Sequence, residues 1–164
     1  MEIFRPMRRK RQELSVERCN EILERATYGV LSVLGDGDYP YGVPVNFVFH
    51  GGKIYFHTAL SGHKVDAMRR HDKVSLTVVD KDEVMPEEYT TYFRSVIAFG
   101  HVRFIDDEAE KRQALVRLGQ RFNPGDDAGL EHEIAKGFNH LYMVEITIDH
   151  LSGKEAIELV KKHV

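Results

Sequence analysis

Cysteine is almost absent. Cys19 is the single thiol among 164 residues, which excludes an internal disulfide framework and suits a reducing, cytoplasmic setting. No apolar run approaches the roughly 20 residues that a membrane-spanning helix needs. The basic start, residues 1–11, has no hydrophobic stretch behind it, so neither a signal peptide nor a membrane is expected. Positive charge is not in excess either. Lys and Arg number 23 against 26 Asp and Glu, a formal charge of −3, and that balance makes no case for a nucleic-acid partner.

Several catalytic signatures are missing. There is no Gly-x-Ser-x-Gly elbow, and Ser32, Ser61, Ser75 and Ser95 have no visible base partner, which argues against a serine hydrolase. Gly35-x-Gly37 falls in a hairpin turn rather than between strand and helix, so dinucleotide binding has no support. Nine histidines invite a metal reading. Yet no two lie four apart on a helix, and neither a Cys pair nor His-Glu-x-x-His occurs. His57 and His63 are separated by a strand end and a loop, and His132 and His140 flank a weakly marked helix. No metal site is expected.

What is present is ordinary globular composition, 42% hydrophobic and 30% charged. A chain of this length hides roughly 70% of its unfolded surface and needs no disulfide or metal to fold. One domain is expected over residues 15–150, with a basic arm (1–14) before it and a tail (151–164) after it. The arm carries Arg5, Arg8, Arg9, Lys10 and Arg11, either a solvated run or a contact for an acidic partner.

Ser15 is a candidate N-cap with Glu17 in the first turn. Val16, Cys19, Ile22, Leu23 and Ala26 follow at three- and four-residue spacing, so 15–26 is an amphipathic helix. Cys19 lies on its apolar face as packing rather than redox chemistry. After Thr27 the period changes to two. Residues 28–34 and 41–50 form strands, joined by the turn 35–38, and Gly51-Gly52 makes a tight hairpin into 53–58. Pro44 cannot donate to a ladder and marks an edge, bulge or bend. These three strands predict a meander.

A short helix, 63–70, follows with Val65 and Met68 inward, then a strand over 73–80. The polar stretch 81–90, broken by Met85-Pro86, predicts a loop. A long strand, 92–105, carries a bulge or bend at Gly100. Asp106 is the candidate cap of a helix packing through Ala109, Leu115, Leu118 and Phe122. Residues 126–129 predict a mobile loop, 130–138 a short helix, 141–149 a closing strand and 153–163 a helical or irregular tail. Some six antiparallel strands without parallel crossovers point to a mainly β architecture, an antiparallel barrel with peripheral helices.

Ser61-Gly62-His63-Lys64 opens a helix. Free N–H groups, a glycine and a lysine there make an incipient anion site suited to phosphate. The alternative is a capped surface helix with exposed charge. Arg69, Arg70 and Arg94 could add charge, Arg94 foremost because it stands in a strand beside Ser95.

The ordered set Tyr39-Pro40-Tyr41-Gly42-Val43-Pro44-Val45, Ile54-Tyr55-Phe56-His57-Thr58-Ala59, Gly62-His63-Lys64 and the run from Tyr92 to Gly100 resembles the pyridoxamine 5′-phosphate oxidase-like FMN-binding split barrels. Within them it is most similar to the nitroimidazole-resistance branch, over about residues 4–150. The resemblance implies a six-stranded split barrel and a homodimer with FMN at the subunit interface. Carried over, it places Val43, Pro44, Val45 and Asn46 along the isoalloxazine ring, with His57, Thr58 and Ala59 beside the flavin. It puts His63 and Lys64 near the ribityl phosphate, and Arg94, Ser95 and Val96 complete the pocket. His57 is either a proton donor or a wall residue.

The implied activity is FMN-dependent reduction of a small molecule, a nitroimidazole among the candidates. Related split barrels bind heme or a deazaflavin, so the alternative is a non-catalytic flavin- or heme-binding protein acting in storage or sensing. No counterpart of the substrate-phosphate residues of true pyridoxamine phosphate oxidases is evident, so vitamin B6 oxidation ranks below a general flavin reductase.

Overall fold

The computed structural model describes residues 3–162. Strands β1 (Tyr28–Leu34), β2 (Pro40–Asn46), β3 (Val48–His50), β4 (Lys53–Thr58), β5 (Lys73–Met85), β6 (Thr90–Phe104) and β7 (Tyr142–Glu155) form one antiparallel sheet in the order β2-β1-β5-β6-β7-β4-β3. Its two edge strands, β2 and β3, are consecutive in the chain with only Phe47 between them, so the sheet closes on itself as a split barrel. Five helices surround it: α1 (Val16–Arg25), α2 (His63–Arg70), α3 (Glu108–Phe122), α4 (Asp127–Gly137) and α5 (Ile157–Lys161).

The seventh strand comes from a break that the alternation over 41–50 conceals. Phe47 is fully buried in the main core, and on either side of it the chain changes partner. β2 pairs with β1, whereas β3 pairs with β4 at the opposite edge. The expected three-strand meander is therefore two hairpins hinged at a buried ring. Gly51 and Gly52, both at positive φ, turn the second hairpin, and Pro44 lies on an edge strand, where its missing N–H costs no ladder bond.

Other expectations need correction. Residues 81–90 are not a loop. The β5–β6 ladder continues past a bulge at Val79/Lys81 to the pair Met85–Thr90, and the polar residues there belong to a hairpin whose outer side meets solvent. Asp107, not Asp106, caps α3, its carboxylate accepting from the Glu110 N–H at 2.8 Å. Ala109 is exposed and Phe122 partly so, while Ala114 packs inward with Leu115 and Leu118. Val16 is likewise exposed on α1, which buries Cys19, Ile22 and Leu23.

The segment 126–129 is the capped start of α4, the Asp126 carboxylate accepting from the Gly129 N–H. A boundary at residue 150 falls inside β7, because residues 151–155 stay paired with β6. The N-terminal segment is not a free arm throughout. Leu14 is buried and its N–H donates to Gly153 O, while Gln12 Nε2 donates to Glu155 O. Met1 and His163 lie outside the described residues.

Burial also silences Cys19. Desolvation pushes its thiol up to about 11, so at neutral pH it is a protonated packing group.

A ring of charge fastens α1 across three strands. Arg18 makes two hydrogen bonds to Glu155 of β7, at 2.9 and 3.1 Å. Glu155 also accepts from Arg94 Nε of β6 at 3.0 Å, and Arg94 Nη1 reaches Asp80 of β5 at 3.1 Å. Arg25 returns the chain of contacts to α1 with two 2.8 Å bonds to Asp80. Burial alone would raise the Glu155 carboxyl, but Arg18 and Arg94 outweigh it and hold it below the usual carboxylate range. Because the folded carboxylate resists protonation, this stabilisation is present above the ordinary carboxylate pKa and is lost on acidification below it.

Two substitutions probe these features. A Cβ on Gly100, at the β6 bulge, would strike the Thr147 carbonyl oxygen and come within 2.7 Å of Ile146 Cγ2. Gly100→Ala should therefore destabilise the fold by about 1–3 kcal/mol in urea unfolding, and an unchanged midpoint would contradict the crowding. Arg94→Met leaves buried Glu155 and Asp80 each short of a donor. It should cost about 1–3 kcal/mol at pH 7, and the difference from wild type should shrink on acidification as the carboxylates take up protons.

Candidate functional site

The start of α2 is built to face an anion. Gly62 sits at φ 135° with nothing within 4 Å of where a Cβ would be. No side chain caps the helix, so first-turn N–H groups stay available to a ligand. Lys64 is half-buried and, among the described residues, pairs with no carboxylate. Burial lowers its pKa. Burial first, and the Lys64 charge second, push the His57 imidazole below its ordinary value. The Lys64 charge is thus felt at His57.

The other basic residues are occupied. Arg94 is held in the charge ring by two carboxylates. Its charge is already matched within the chain, so it is not a free cation. His63 Nε2 accepts from the Asp36 N–H at 3.0 Å, and its ring stacks on Tyr41 at 4.3 Å. It pins α2 to the turn after β1 instead of projecting alone toward an anion. Arg70 donates to Asp36 at 2.7 Å, and the Arg69 guanidinium lies 3.6 Å from the Phe104 ring centroid.

Strand pleating divides the remaining candidates. In β2, Val45 is buried and Val43 packs against the core, whereas Pro44 and Asn46 point outward. Asn46 Nδ2 donates to Thr27 O. Thr58 is buried, Ala59 is exposed, and His57 has a solvent-accessible face although its ring is partly desolvated by its neighbours. Val96 is fully buried inside the barrel, so its side chain cannot line an external pocket, while Ser95 stays half-buried outside. The set of twelve thus separates into a locus around His57 and Lys64, an outward sheet face bearing Pro44, Asn46 and Ser95, and residues that serve the core or, as Arg94 does, the charge ring.

That sheet face carries apolar side chains among short polar ones, several of them exposed. A register row crosses five strands through Pro44, Val30, Thr77, Ile97 and Ser152. Tyr28 and Val79 beside it are 54% and 57% exposed. Phe4 stacks on His150 at 4.6 Å, next to Phe99. The sequence carried a signal for this face, because β1 is apolar on both of its sides, as a strand covered twice would be.

The motif reading missed a cavity of about 620 Å³ between α3, α4 and the end of β4. His57 is on its rim. The apolar spacing of Leu130, Ile134 and Phe138 marked the helix but not the space beside it. Among the described residues no cluster of His, Cys, Asp and Glu has the arrangement of a metal site, and no helix is long and apolar enough to cross a membrane.

The lowered His57 pKa has a consequence for stability. An unfolded chain takes up a proton near pH 6.5 that the folded ring resists, so stability falls as pH drops below that value. His57→Gln should lose less stability than wild type between pH 7.5 and 5.5 in urea unfolding. Equal losses would show that the folded ring protonates freely.

Comparison with known proteins agrees with this architecture. The chain resembles the flavocytochrome Anf3 of Azotobacter vinelandii (TM-score 0.80, 24% identity, 92% of this chain and 72% of that one). It also resembles an FAD and heme binding protein of Mycobacterium smegmatis (TM-score 0.77, 24% identity, 90% and 74%). A third likeness is to a candidate 5-nitroimidazole antibiotic resistance protein of Bacteroides thetaiotaomicron (TM-score 0.71, 21% identity, 87% and 86%). At these identities the likenesses establish the fold. No curated protein matches the sequence. The family model for pyridoxamine 5′-phosphate oxidase matches residues 15–155, and with the closed split barrel this places the chain in the pyridoxamine 5′-phosphate oxidase family.

Proposed function

We propose that the protein is a homodimeric FMN-dependent oxidoreductase that reduces a small organic molecule, nitroimidazole-type compounds among them. The observation that carries this reading is Lys64. A half-buried ammonium without a counter-charge, at the uncapped start of a helix, fits a ligand phosphate better than it fits a structural role. The open space at Gly62 admits the close backbone approach that such a phosphate makes.

In this reading Lys64 Nζ and the first N–H groups of α2 hold the phosphate, and Ala59 and the neighbouring backbone flank the ring. The five-strand face with its exposed Tyr28, Val30 and Val79 supplies the dimer contact, with Pro44, Asn46 and Ser95 at the shared boundary. When bound, the flavin supplies the electron transfer. His57 is neutral at pH 7 with its pKa held low, so its N–H offers a hydrogen bond to the substrate more readily than a free proton. A phosphate on Lys64 would offset only the Lys64 share of that depression, the larger share being burial.

The Azotobacter flavocytochrome and the Mycobacterium FAD and heme binding protein favour a second reading, in which the chain binds heme. The absorption spectrum of the purified protein separates them, since a Soret band would mark heme.

FMN and riboflavin affinities test the first reading. Lys64→Ala should weaken FMN by about ten- to a hundredfold, the equivalent of a charge-assisted contact of about 1.5–3 kcal/mol, and leave riboflavin nearly unchanged. Light scattering should give a dimer when FMN is bound. Equal weakening of both ligands, or a monomer that holds FMN tightly, would overturn the assignment.

A further inference from the structure

We infer that the cavity between α3 and α4 is a binding pocket for a small, uncharged, largely apolar organic molecule. Combined with the flavin reading on which that role rests, it is the seat of the substrate. Its volume, about 620 Å³, lies within the roughly 300–1,000 Å³ typical of small-molecule sites. Leu115, Leu118, Leu130, Ile134, Phe138 and Leu141 form its walls. The ring of Phe122 stands at its side, 42% exposed, an apolar surface that a ligand would remove from water.

The charge around the pocket selects against anions. No lysine or arginine lines it, whereas Glu133 and Asp126 do. A carboxylate or phosphate ligand would meet two like charges and no cation. The polar groups able to orient a neutral guest are the imidazoles of His57 and His132 and the Asn123 amide. His57 is shared with the Lys64 locus, so a guest held here lies beside the place assigned to the flavin. Lys64 does not line this space, and the anion locus and the apolar pocket meet only at that imidazole.

Gly137 permits a clean test. It ends α4 at φ −103°, a conformation open to any residue. A Cβ there meets only Leu141, at 3.9 Å, and both residues line the pocket. Gly137→Leu should therefore fill the cavity without strain. The full chain, with and without FMN, is titrated with 4-fluoronitrobenzene and in parallel with 4-fluorobenzoate, and binding is read by fluorine NMR. Wild type should bind the neutral probe saturably and the anionic one at least tenfold more weakly. Gly137→Leu should weaken the neutral probe at least tenfold, with melting temperature and FMN affinity unchanged. Phe122→Ala, a wall deletion, should weaken it at least threefold.

Wild-type binding by Gly137→Leu, or equal affinity for the two probes, would overturn the pocket. If the chain binds FMN but not the probe, the pocket fails and the flavin reading stands. If it binds the probe in a Gly137-sensitive way but not FMN, the pocket stands as a ligand site and the flavin reading fails.

Discussion

Burial of Phe47 turns an open sheet into a barrel. The ring is fully enclosed in the core, and holding it there forces β2 and β3, which are neighbours in the chain, to opposite ends of the strand order. Both sheet edges then belong to one continuous segment, which limits the unpaired backbone that an open sheet would present. The same closure sets β4 beside β7 and turns the outer side of β4 toward α3, where Tyr55 joins the second hydrophobic cluster. It also delivers the end of β4, with His57, to the loop that leads into α2. Removing the ring would cost about 3–5 kcal/mol in packing, but its larger effect is topological, because the site is assembled by the corner it makes.

Local chemistry was legible in the sequence where it is local in the structure. The Ser15 cap, the paired glycines of the β3–β4 turn, the bulge at Gly100 and the edge position of Pro44 each rest on one residue's own backbone or hydrogen bond. The break at Phe47 was not legible, because nothing in an alternating apolar run without glycine or proline at that point marks a change of partner. The hairpin over 81–90 was hidden for the opposite reason. Its residues are polar because solvent lies on one side, and polarity imitates a loop. For the site, the consecutive run Val43-Pro44-Val45-Asn46 names one strand segment, but pleating sends alternate side chains to opposite faces. Two of the four therefore serve the core.

Charge was countable in the sequence but not pairable. Arg94 and Lys64 look alike as candidate anion ligands until the fold brings Asp80 and Glu155 to Arg94, from 14 and 61 residues away. Those two carboxylates, with Arg18 and Arg25 of α1, make Arg94 part of the frame. Lys64 gains no such partner. What separates a structural cation from a ligand-binding one is then the tertiary origin of its counter-charge, and no spacing rule along the chain contains that information.

His57 stands where two environments of opposite preference meet. On one side an unneutralised lysine and the N–H groups of α2 favour negative charge. On the other, an apolar trough bordered by Glu133 and Asp126 disfavours it. A protonated imidazole there would be opposed by Lys64 and by burial together, so the neutral ring is the form compatible with both neighbours. On the proposed reading the arrangement sorts ligands by charge before any chemistry: an anionic tail is held at α2 and a neutral ring system is admitted to the trough. Adding phosphate charge at Lys64 relieves part of the pressure on His57. On that reading the two sites meet at one imidazole, where burial weighs more than the Lys64 charge.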